Sequence, residues 1–388
     1  MIRDKDKLLS EKARLITPFL VMEIMEKASH LEKRGHTIIH LEVGEPDFET
    51  PPCITKAAIR ALNQGQTKYS HSLGIVELRE AICEQYFNHY GVSISPDQII
   101  VTSGTSPAML ICFAFMLNPS DEVILSDPHY ACYPNFIQFM GGKVSLVKVY
   151  EKDGFQYLPD HIRSKISDRT KGIIINSPSN PTGNLLSAES MREISQLGPW
   201  ILSDEIYHGL VYEGRAHSIL EYTDRALVIN GFSKLYAMTG WRLGYLIAPK
   251  NFIRPMQNIQ QNFFISASSF VQYAGLAALK EAESDVVEMA NTYNKRRKFM
   301  LKRLREMGFG ITVEPTGAFY ILANAKAYCQ NNSLNFCHDI LDKAGVAITP
   351  GIDFGENAEG YVRFSYANSL ENISEGMDRL ERYLKEKL

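Results

Sequence analysis

Residues 172–178 read Gly-Ile-Ile-Ile-Asn-Ser-Pro, a short and nearly continuous apolar run that ends on polar and turn-forming residues. Four further runs have the same form, and they occupy residues 99–104, 123–128, 200–205 and 226–234. Apolar strands separated by helical segments are typical of a mostly parallel sheet with helices on both faces. The sequence therefore predicts an α/β fold with three layers, namely helices, sheet and helices.

Polar or charged residues stand at or just beyond the ends of these predicted strands. They are Ser103, Asn180, Asp204 and Lys234. In open α/β sheets, ligands bind beyond the carboxyl ends of the strands. We therefore expect these four residues to converge on one functional site.

The pattern changes after about residue 250 and predicts a smaller α+β domain. Helices are expected near 284–307, at 333–344 and from 370, and strands near 312–314, 318–322, 346–349 and 360–366. A helix predicted over residues 13–34 should pack with this part of the chain. We therefore predict a large domain over 46–284 and a discontinuous small domain from 1–45 and 285–388.

Composition excludes several classes of protein. The 388 residues carry 41 Lys and Arg against 44 Asp and Glu, for a formal net charge of -3, so no nucleic-acid partner is expected. Hydrophobic residues make up 45%, and no apolar run is long enough to span a membrane. The six cysteines form no C-x-x-C pair, and the first residues lack the apolar core of a signal peptide. We therefore expect a cytoplasmic protein with no metal site.

Common enzyme motifs are absent from the sequence. There is no G-x-G-x-x-G that opens a strand-helix unit, no G-x-x-x-x-G-K-[ST], no H-E-x-x-H and no G-x-S-x-G. Their absence weakens the interpretation as a nicotinamide, nucleotide, zinc-peptidase or serine-hydrolase enzyme.

Lys234 is the strongest catalytic candidate, because it lies in the apolar and aromatic sequence Phe-Ser-Lys-Leu-Tyr-Ala-Met. Such surroundings lower the pKa of a lysine and suit it to imine formation with a carbonyl. Arg242 follows eight residues later and offers a bidentate donor for a phosphate. Asp204 and Tyr207 are about one helical turn apart and suit a pyridine cofactor, although a helix cap is the alternative role for Asp204.

Taken together, these motifs resemble the class I/II aminotransferases, which are pyridoxal-phosphate (PLP) enzymes of fold type I, and most closely their aspartate-aminotransferase-like branch. The resemblance spans nearly the whole chain. The matching segments are 43–48, 68–69, 73–79, 103–105, 180–183, 203–207, 233–234, 238–244 and 361–365. It implies a fold-type-I large domain with a mixed, mostly parallel sheet and a PLP cofactor.

The resemblance also implies roles for individual residues. Lys234 would hold the cofactor as a Schiff base and then move a proton, and Asp204 would pair with the pyridine nitrogen. Asn180 and Tyr207 would bind the ring 3-oxygen, and Tyr130 would stack on the ring. The phosphate and its surroundings would be formed by Ser103, Gly104, Thr105, Ser106, Ser233 and Arg242.

The substrate and the partner subunit are implied in the same way. Arg363 would bind the substrate α-carboxylate, with help from Gly44 and Asn180. Tyr69 corresponds to a residue that reaches the phosphate of the neighbouring subunit, so a homodimer is expected.

Two positions depart from the family pattern. Gly231 stands where many relatives have a serine that contacts phosphate, so one phosphate contact is missing or replaced. Ser106 stands where aspartate-specific members have a lysine, which puts aspartate specificity in doubt.

The leading hypothesis is a PLP-dependent aminotransferase that moves an amino group between an L-amino acid and a 2-oxo acid by a ping-pong mechanism. One alternative with the same cofactor is a β-lyase acting on a sulfur-containing amino acid. A more remote alternative is a non-catalytic, PLP-binding regulator.

Overall fold

The structure is a computed structural model, and it describes residues 8–387. The helices are α1 Glu11–Leu15, α2 Leu20–Glu32, α3 Pro52–Asn63, α4 Val76–Tyr90, α5 Thr105–Met116, α6 Tyr133–Phe139, α7 Pro159–Arg163, α8 Ala188–Ser195, α9 Lys250–Phe263, α10 Ser269–Glu281, α11 Glu283–Glu306, α12 Lys326–Cys329, α13 Ser333–Ala344 and α14 Leu370–Lys387. None of the helices within residues 8–387 is long and apolar enough to cross a membrane.

The strands form one large and two small sheets. They are β1 Ile39–His40, β2 Ile99–Thr102, β3 Glu122–Asp127, β4 Lys143–Lys148, β5 Thr170–Asn176, β6 Trp200–Asp204, β7 Ala226–Gly231, β8 Gly244–Ile247, β9 Tyr320–Asn324, β10 Val346–Ala347, β11 Thr349–Pro350 and β12 Tyr361–Ser365. The large sheet has the order β2-β8-β7-β6-β5-β3-β4, and only β8 runs antiparallel to its neighbours. The predicted mixed, mostly parallel sheet is confirmed.

Alternate residues of the central strands enter two separate cores. Ile173 and Ile175 of β5 belong to a core that includes side chains of α3, α4 and α10, whereas Ile174 belongs to a core with α5, α6 and α9. Because successive strand residues point to opposite faces, helices cover both sides of the sheet. This arrangement gives the three predicted layers.

The small domain is built around β9, β11 and β12, which pair antiparallel in the order β11-β12-β9. Its core joins Ile24, Ile39 and Leu41 from near the start of the chain to side chains between Met289 and Leu384. Strand β1 also pairs parallel with β10. Both ends of the chain therefore share one core, while the domain limits at residues 45 and 285 stay a prediction.

The single helix expected over residues 13–34 is wrong. Two helices occur there, α1 and α2, with residues 16–19 between them in non-helical conformation. Pro18 lacks an N–H and restricts the residue before it, which explains the break. The N–H groups of Leu20 and Val21 donate instead to the carboxylate of Asp353, at 3.0 and 3.3 Å.

The strand expected at 312–314 is also wrong, because these residues have no strand pairing. The N–H of Thr312 donates to the carboxylate of Glu151 at 2.9 Å, so a side chain replaces a ladder partner.

A close approach between β8 and the start of α5 positions the edge of the cleft. A Cβ atom at Gly244 would lie 2.7 Å from the carbonyl carbon of Gly104 and 2.9 Å from the nitrogen of Thr105. These are backbone atoms, so only a displacement of the loop could make room. Gly244 is therefore required by packing at this point.

We expect Gly244→Ala to lower the free energy of unfolding by about 1–3 kcal/mol, because the added methyl group overpacks two backbone segments. The matched control is Gly240→Ala, since a Cβ there meets nothing within 4 Å. The control should change stability by less than about 0.5 kcal/mol. Urea unfolding at one protein concentration measures both, and equal losses would contradict the packing argument.

Candidate active site

A cleft of about 350 Å³ lies beyond the carboxyl ends of β5 and β6, beside the start of α5, and Tyr320 of β9 and Arg363 of β12 also line it. Most of the residues predicted from the sequence to form the site line this cleft. They are Gly44, Thr105, Ser106, Tyr130, Asn180, Asp204, Tyr207, Ser233, Lys234, Arg242 and Arg363. Apolar side chains and further polar groups complete the wall.

Lys234 lies just after β7 and points into the cleft. Its Nζ donates to the carbonyl oxygen of Gly44 at 2.6 Å. Burial lowers the pKa of Lys234 to about 8, with smaller contributions from neighbouring charges. An amine whose pKa is near 8 is present in useful amounts as the neutral nucleophile at neutral pH.

Asp204 is the last residue of β6 and is buried. One carboxylate oxygen accepts a hydrogen bond from the Tyr133 hydroxyl at 2.7 Å, and the other accepts from the N–H of Ile206 at 3.2 Å. Burial raises the pKa of Asp204 to about 6. No side-chain cation of residues 8–387 forms an ion pair with it, so a cationic ligand atom would stabilise its charged form.

Arg363 is the central residue of β12 and only 2% exposed. Its guanidinium donates to Oδ1 of Asn180 at 2.9 Å, to the carbonyl of Glu42 at 2.5 Å and to the hydroxyl of Thr349 at 3.2 Å. All three acceptors are neutral, and the buried Nε atom has no partner. The group therefore keeps both its full charge and an unused donor.

Aromatic rings hold the Arg363 guanidinium in place. It lies 4.3 Å from the ring centre of Tyr320 and 4.8 Å from that of Phe354. The hydroxyl of Tyr320 also forms a 2.8 Å hydrogen bond with that of Tyr207. Tyr320 thus links Arg363 to the wall that Tyr207 forms.

The end of the cleft formed by the start of α5 and Arg242 is suited to an anion. Helix α5 begins there at Thr105 without a side-chain cap, so its first N–H groups are available. Gly104 has φ +98°, and a Cβ atom there would lie 2.5 Å from Nη2 of Arg242. Arg242 itself has φ +55°, in the left-handed region that non-glycine residues rarely adopt. Backbone strain therefore accompanies the placement of this guanidinium.

Close packing between β7 and β8 explains why residue 231 is a glycine. It pairs with Gly244 across β7 and β8. A Cβ atom at 231 would lie 3.0 Å from the carbonyl oxygen of Leu243 and 3.1 Å from the Cα of Gly244. A serine at this position would require the backbone of β8 to move.

Three predicted residues do not line this cleft. Ser103 lies in a neighbouring depression beside Arg242 and Trp241, and Gly104 is buried against Arg242. Tyr69 is 83% exposed and lies on a separate surface with Lys68 and His71.

Several residues of the cleft had no role predicted from the sequence. Asn176 ends β5, and its side chain accepts from the N–H of Asn180 and donates to the carbonyl of Asp204. Its position at a strand end was a usable signal. Tyr133 and Tyr320 reach the site from distant segments, and nothing local in the sequence indicated them.

The segment over residues 40–44 supports two of the three cleft cations, Lys234 and Arg363. The carbonyl of Glu42 accepts from Arg363, and that of Gly44 accepts from Lys234. The buried side chain of Glu42 bonds His40 Nδ1 at 2.7 Å, and His40 Nε2 lies 3.1 Å from Glu32. Hydrogen bonding to Glu42 raises the pKa of His40 to about 9.

This fold is that of an α/β protein, and the three cations of its cleft suit anionic ligands. The sequence family described as aminotransferase class I and II matches residues 36–380. The chain is 41% identical over 381 residues to the (5-formylfuran-3-yl)methyl phosphate transaminase of Methanocaldococcus jannaschii, covering 97% of this chain and 100% of that protein. It is 39% identical to an aspartate aminotransferase of Pyrococcus horikoshii, covering 99% of each.

A solved structure agrees with these matches. A double mutant of the Thermus thermophilus aspartate aminotransferase superposes with a TM-score of 0.92 at 38% identity, covering 96% of this chain and 99% of that one. The chain therefore belongs to the class I and II aminotransferases, a family of enzymes that use PLP. These relatives are transaminases, so they support neither the β-lyase nor the regulator alternative.

The hydrogen-bonded pair of His40 and Glu42 should make the free energy of unfolding depend on pH. Below about 6.5 the histidine is protonated in both the folded and the unfolded chain, so the pair contributes fully. Between about 6.5 and 9 only the folded chain keeps the proton, and the contribution falls as pH rises. The difference in unfolding free energy between the unmodified protein and His40→Gln should therefore shrink from pH 6 to pH 9.5, as measured by urea unfolding.

The control is His36→Gln, which changes an exposed histidine near the same segment. Its effect on stability should stay constant over this range. A His40→Gln effect that is independent of pH would rule out the proposed contribution of the charged pair.

Proposed function

We propose that this chain is a PLP-dependent aminotransferase that uses Lys234 as its catalytic base and transfers an amino group between an L-amino acid and a 2-oxo acid. One observation carries the proposal. Lys234, Arg242 and Arg363 line one cleft, and the hydrogen bonds that they make within residues 8–387 go to neutral oxygens. Such a site requires anionic groups from its ligands.

The residues of the cleft fit PLP at both of its ends. The close approach of Arg242 to Gly104, beside the uncapped start of α5, suits the phosphate, with Thr105, Ser106, Ser103 and Ser233 nearby. At the other end, the buried carboxylate of Asp204 suits a protonated ring nitrogen, which would supply the cationic partner that Asp204 lacks. Asn180 accepts from Arg363 through Oδ1, so its amide nitrogen is the group that can donate to the ring oxygen, together with Tyr207.

When bound, PLP would supply an aldehyde group that can accept the amino group of the substrate together with the two electrons that the α-carbon gives up as it becomes a ketone. Lys234 would take the proton from the substrate α-carbon and later return it, since its lowered pKa allows it to act as base and then as acid. Asp204 would hold the proton on the ring nitrogen. Tyr133 and the N–H of Ile206 orient that carboxylate.

Arg363 binds the substrate α-carboxylate. Its guanidinium lines the cleft and supplies the donors, and Tyr320, Phe354 and the Glu42 carbonyl fix the plane of this group. A carboxylate held by a planar, fixed donor presents the α-carbon toward Lys234 in a restricted orientation. The N–H of Gly44 is the additional donor proposed for this group.

Substitution of Lys234 tests the function directly. Holoenzyme reconstituted with PLP should absorb in the near-visible range, and Lys234→Ala should lose this band and at least about 10³-fold in transaminase turnover, because the base is removed. The control is Lys250→Ala, which changes a largely exposed lysine at the start of α9. It should retain both properties. Transaminase turnover by Lys234→Ala near the unmodified rate would refute the proposal.

We further propose a homodimer in which Tyr69 binds the phosphate in the partner's cleft. Its 83% exposure and its distance from the cleft lining of its own chain support this role. A tyrosine hydroxyl is a suitable donor to phosphate oxygen.

Mixing two defective variants tests this arrangement. Tyr69→Ala and Lys234→Ala carry their lesions in different parts of a composite site, so each mixed dimer regains one intact site. An equal mixture should recover about a quarter of the intact sites, and activity should rise accordingly after co-refolding. If Tyr69 acted only within its own chain, no intact site would form and activity would not rise.

A further inference from the structure

The part of the cleft beyond the three cations is apolar. Phe19, Val21, Met22 and Met25 line it from the start of α2, and Met109 lines it from α5. Met109 is buried, whereas Met22 is 42% exposed and stands nearer the solvent. The same cleft therefore has a polar floor and an apolar wall.

Contacts with both domains hold this wall in place. The start of α2 is fixed by the carboxylate of Asp353, which accepts from the N–H groups of Leu20 and Val21. The ring of Phe19 packs edge-on against that of Tyr130, with 6.1 Å between ring centres. Two hydrogen bonds from Thr17 to the side chain of Asn135 fix the preceding residues. The wall is therefore held against both domains.

The charges that this chain itself places in the cleft leave no partner for a second carboxylate. Among the described residues that line the cleft, the lysine and arginine side chains are Lys234, Arg242 and Arg363, and each has a role in the proposed function. The remaining charged side chain besides Asp204 is Glu45, which accepts a hydrogen bond from Thr239. A distal carboxylate of a substrate would lose water, face apolar side chains and be repelled by Glu45.

We propose that the amino donor has an apolar side chain, aliphatic or aromatic, and that dicarboxylic amino acids are poor donors. This inference rests on the proposed function, because it assumes that Arg363 binds the α-carboxylate. It assigns to this chain a donor class different from the aspartate named for the Pyrococcus relative. Methionine side chains adapt their shape, so the wall can accept both aliphatic and aromatic groups.

The half-reaction tests the inference without a choice of acceptor. PLP-loaded protein is mixed with one donor at a time, and the loss of the cofactor's near-visible band is followed by stopped flow. Phenylalanine, leucine and methionine should give apparent second-order rate constants at least about tenfold above those of aspartate and glutamate. A faster or equal rate with aspartate or glutamate would overturn the inference while leaving the transaminase proposal intact. No conversion with any donor would overturn both.

A charge placed in the wall provides a second test. Met22→Lys should raise the ratio of the aspartate rate to the phenylalanine rate at least about tenfold, because it supplies the missing cation near solvent. The control is Val287→Lys, which adds the same charge at a 54% exposed apolar position on α11 outside the cleft lining. The control should leave this ratio within about twofold of the unmodified protein. An unchanged ratio in Met22→Lys would mean that the apolar wall does not select the donor.

Discussion

The buried guanidinium of Arg363 is the constraint on which the arrangement of the cleft depends. A charge at 2% exposure destabilises a fold unless its hydrogen-bonding groups are used. Asn180 from the large domain, Glu42 from the segment after β1 and Thr349 from β11 supply the acceptors. These residues are distant in sequence, so solvating one arginine brings three parts of the chain to one point. The contact between the large sheet and the sheet of β9, β11 and β12 and the wall of the cleft are consequently built from the same interactions.

The choice of neutral acceptors has a functional consequence. Carboxylate partners would neutralise Arg363 and Lys234, and an anionic ligand would then compete with a permanent ion pair. Carbonyl and amide oxygens orient the two cations and leave their charge in place. The segment over residues 42–44 contributes to both, because the Glu42 carbonyl accepts from Arg363 and the Gly44 carbonyl from Lys234. The cleft is therefore preorganised for anions before any ligand arrives.

The sequence predicted the features that depend on neighbouring residues and missed the contacts between segments that are distant in the chain. Apolar runs that end on polar residues located β5, β6 and β7, and with them Asp204 and Lys234, because a parallel strand and its end are adjacent in the chain. The break between α1 and α2 had a local signal in Pro18, although the carboxylate of Asp353 that caps α2 had none. Tyr320 belongs to β9, which a periodic pattern indicates only as a strand. Its contact with Arg363 depends on how β9 and β12 pair, and a single sequence does not record that pairing.

Burial moves the two central ionisable groups in opposite directions. It lowers the pKa of Lys234 to about 8 and raises that of Asp204 to about 6, so each is shifted toward its neutral form. For the lysine this shift favours the amine that reacts. For the aspartate it opposes the carboxylate that must pair with a ring nitrogen, and a protonated nitrogen would reverse the shift through its charge. A cationic ligand stabilises the ionised form of Asp204, and ionised Asp204 stabilises the bound cation. Ionisation of Asp204 and binding of a cationic ligand therefore favour each other. The burial that favours the neutral amine of Lys234 would thus also make Asp204 favour a ligand that carries a proton on its ring.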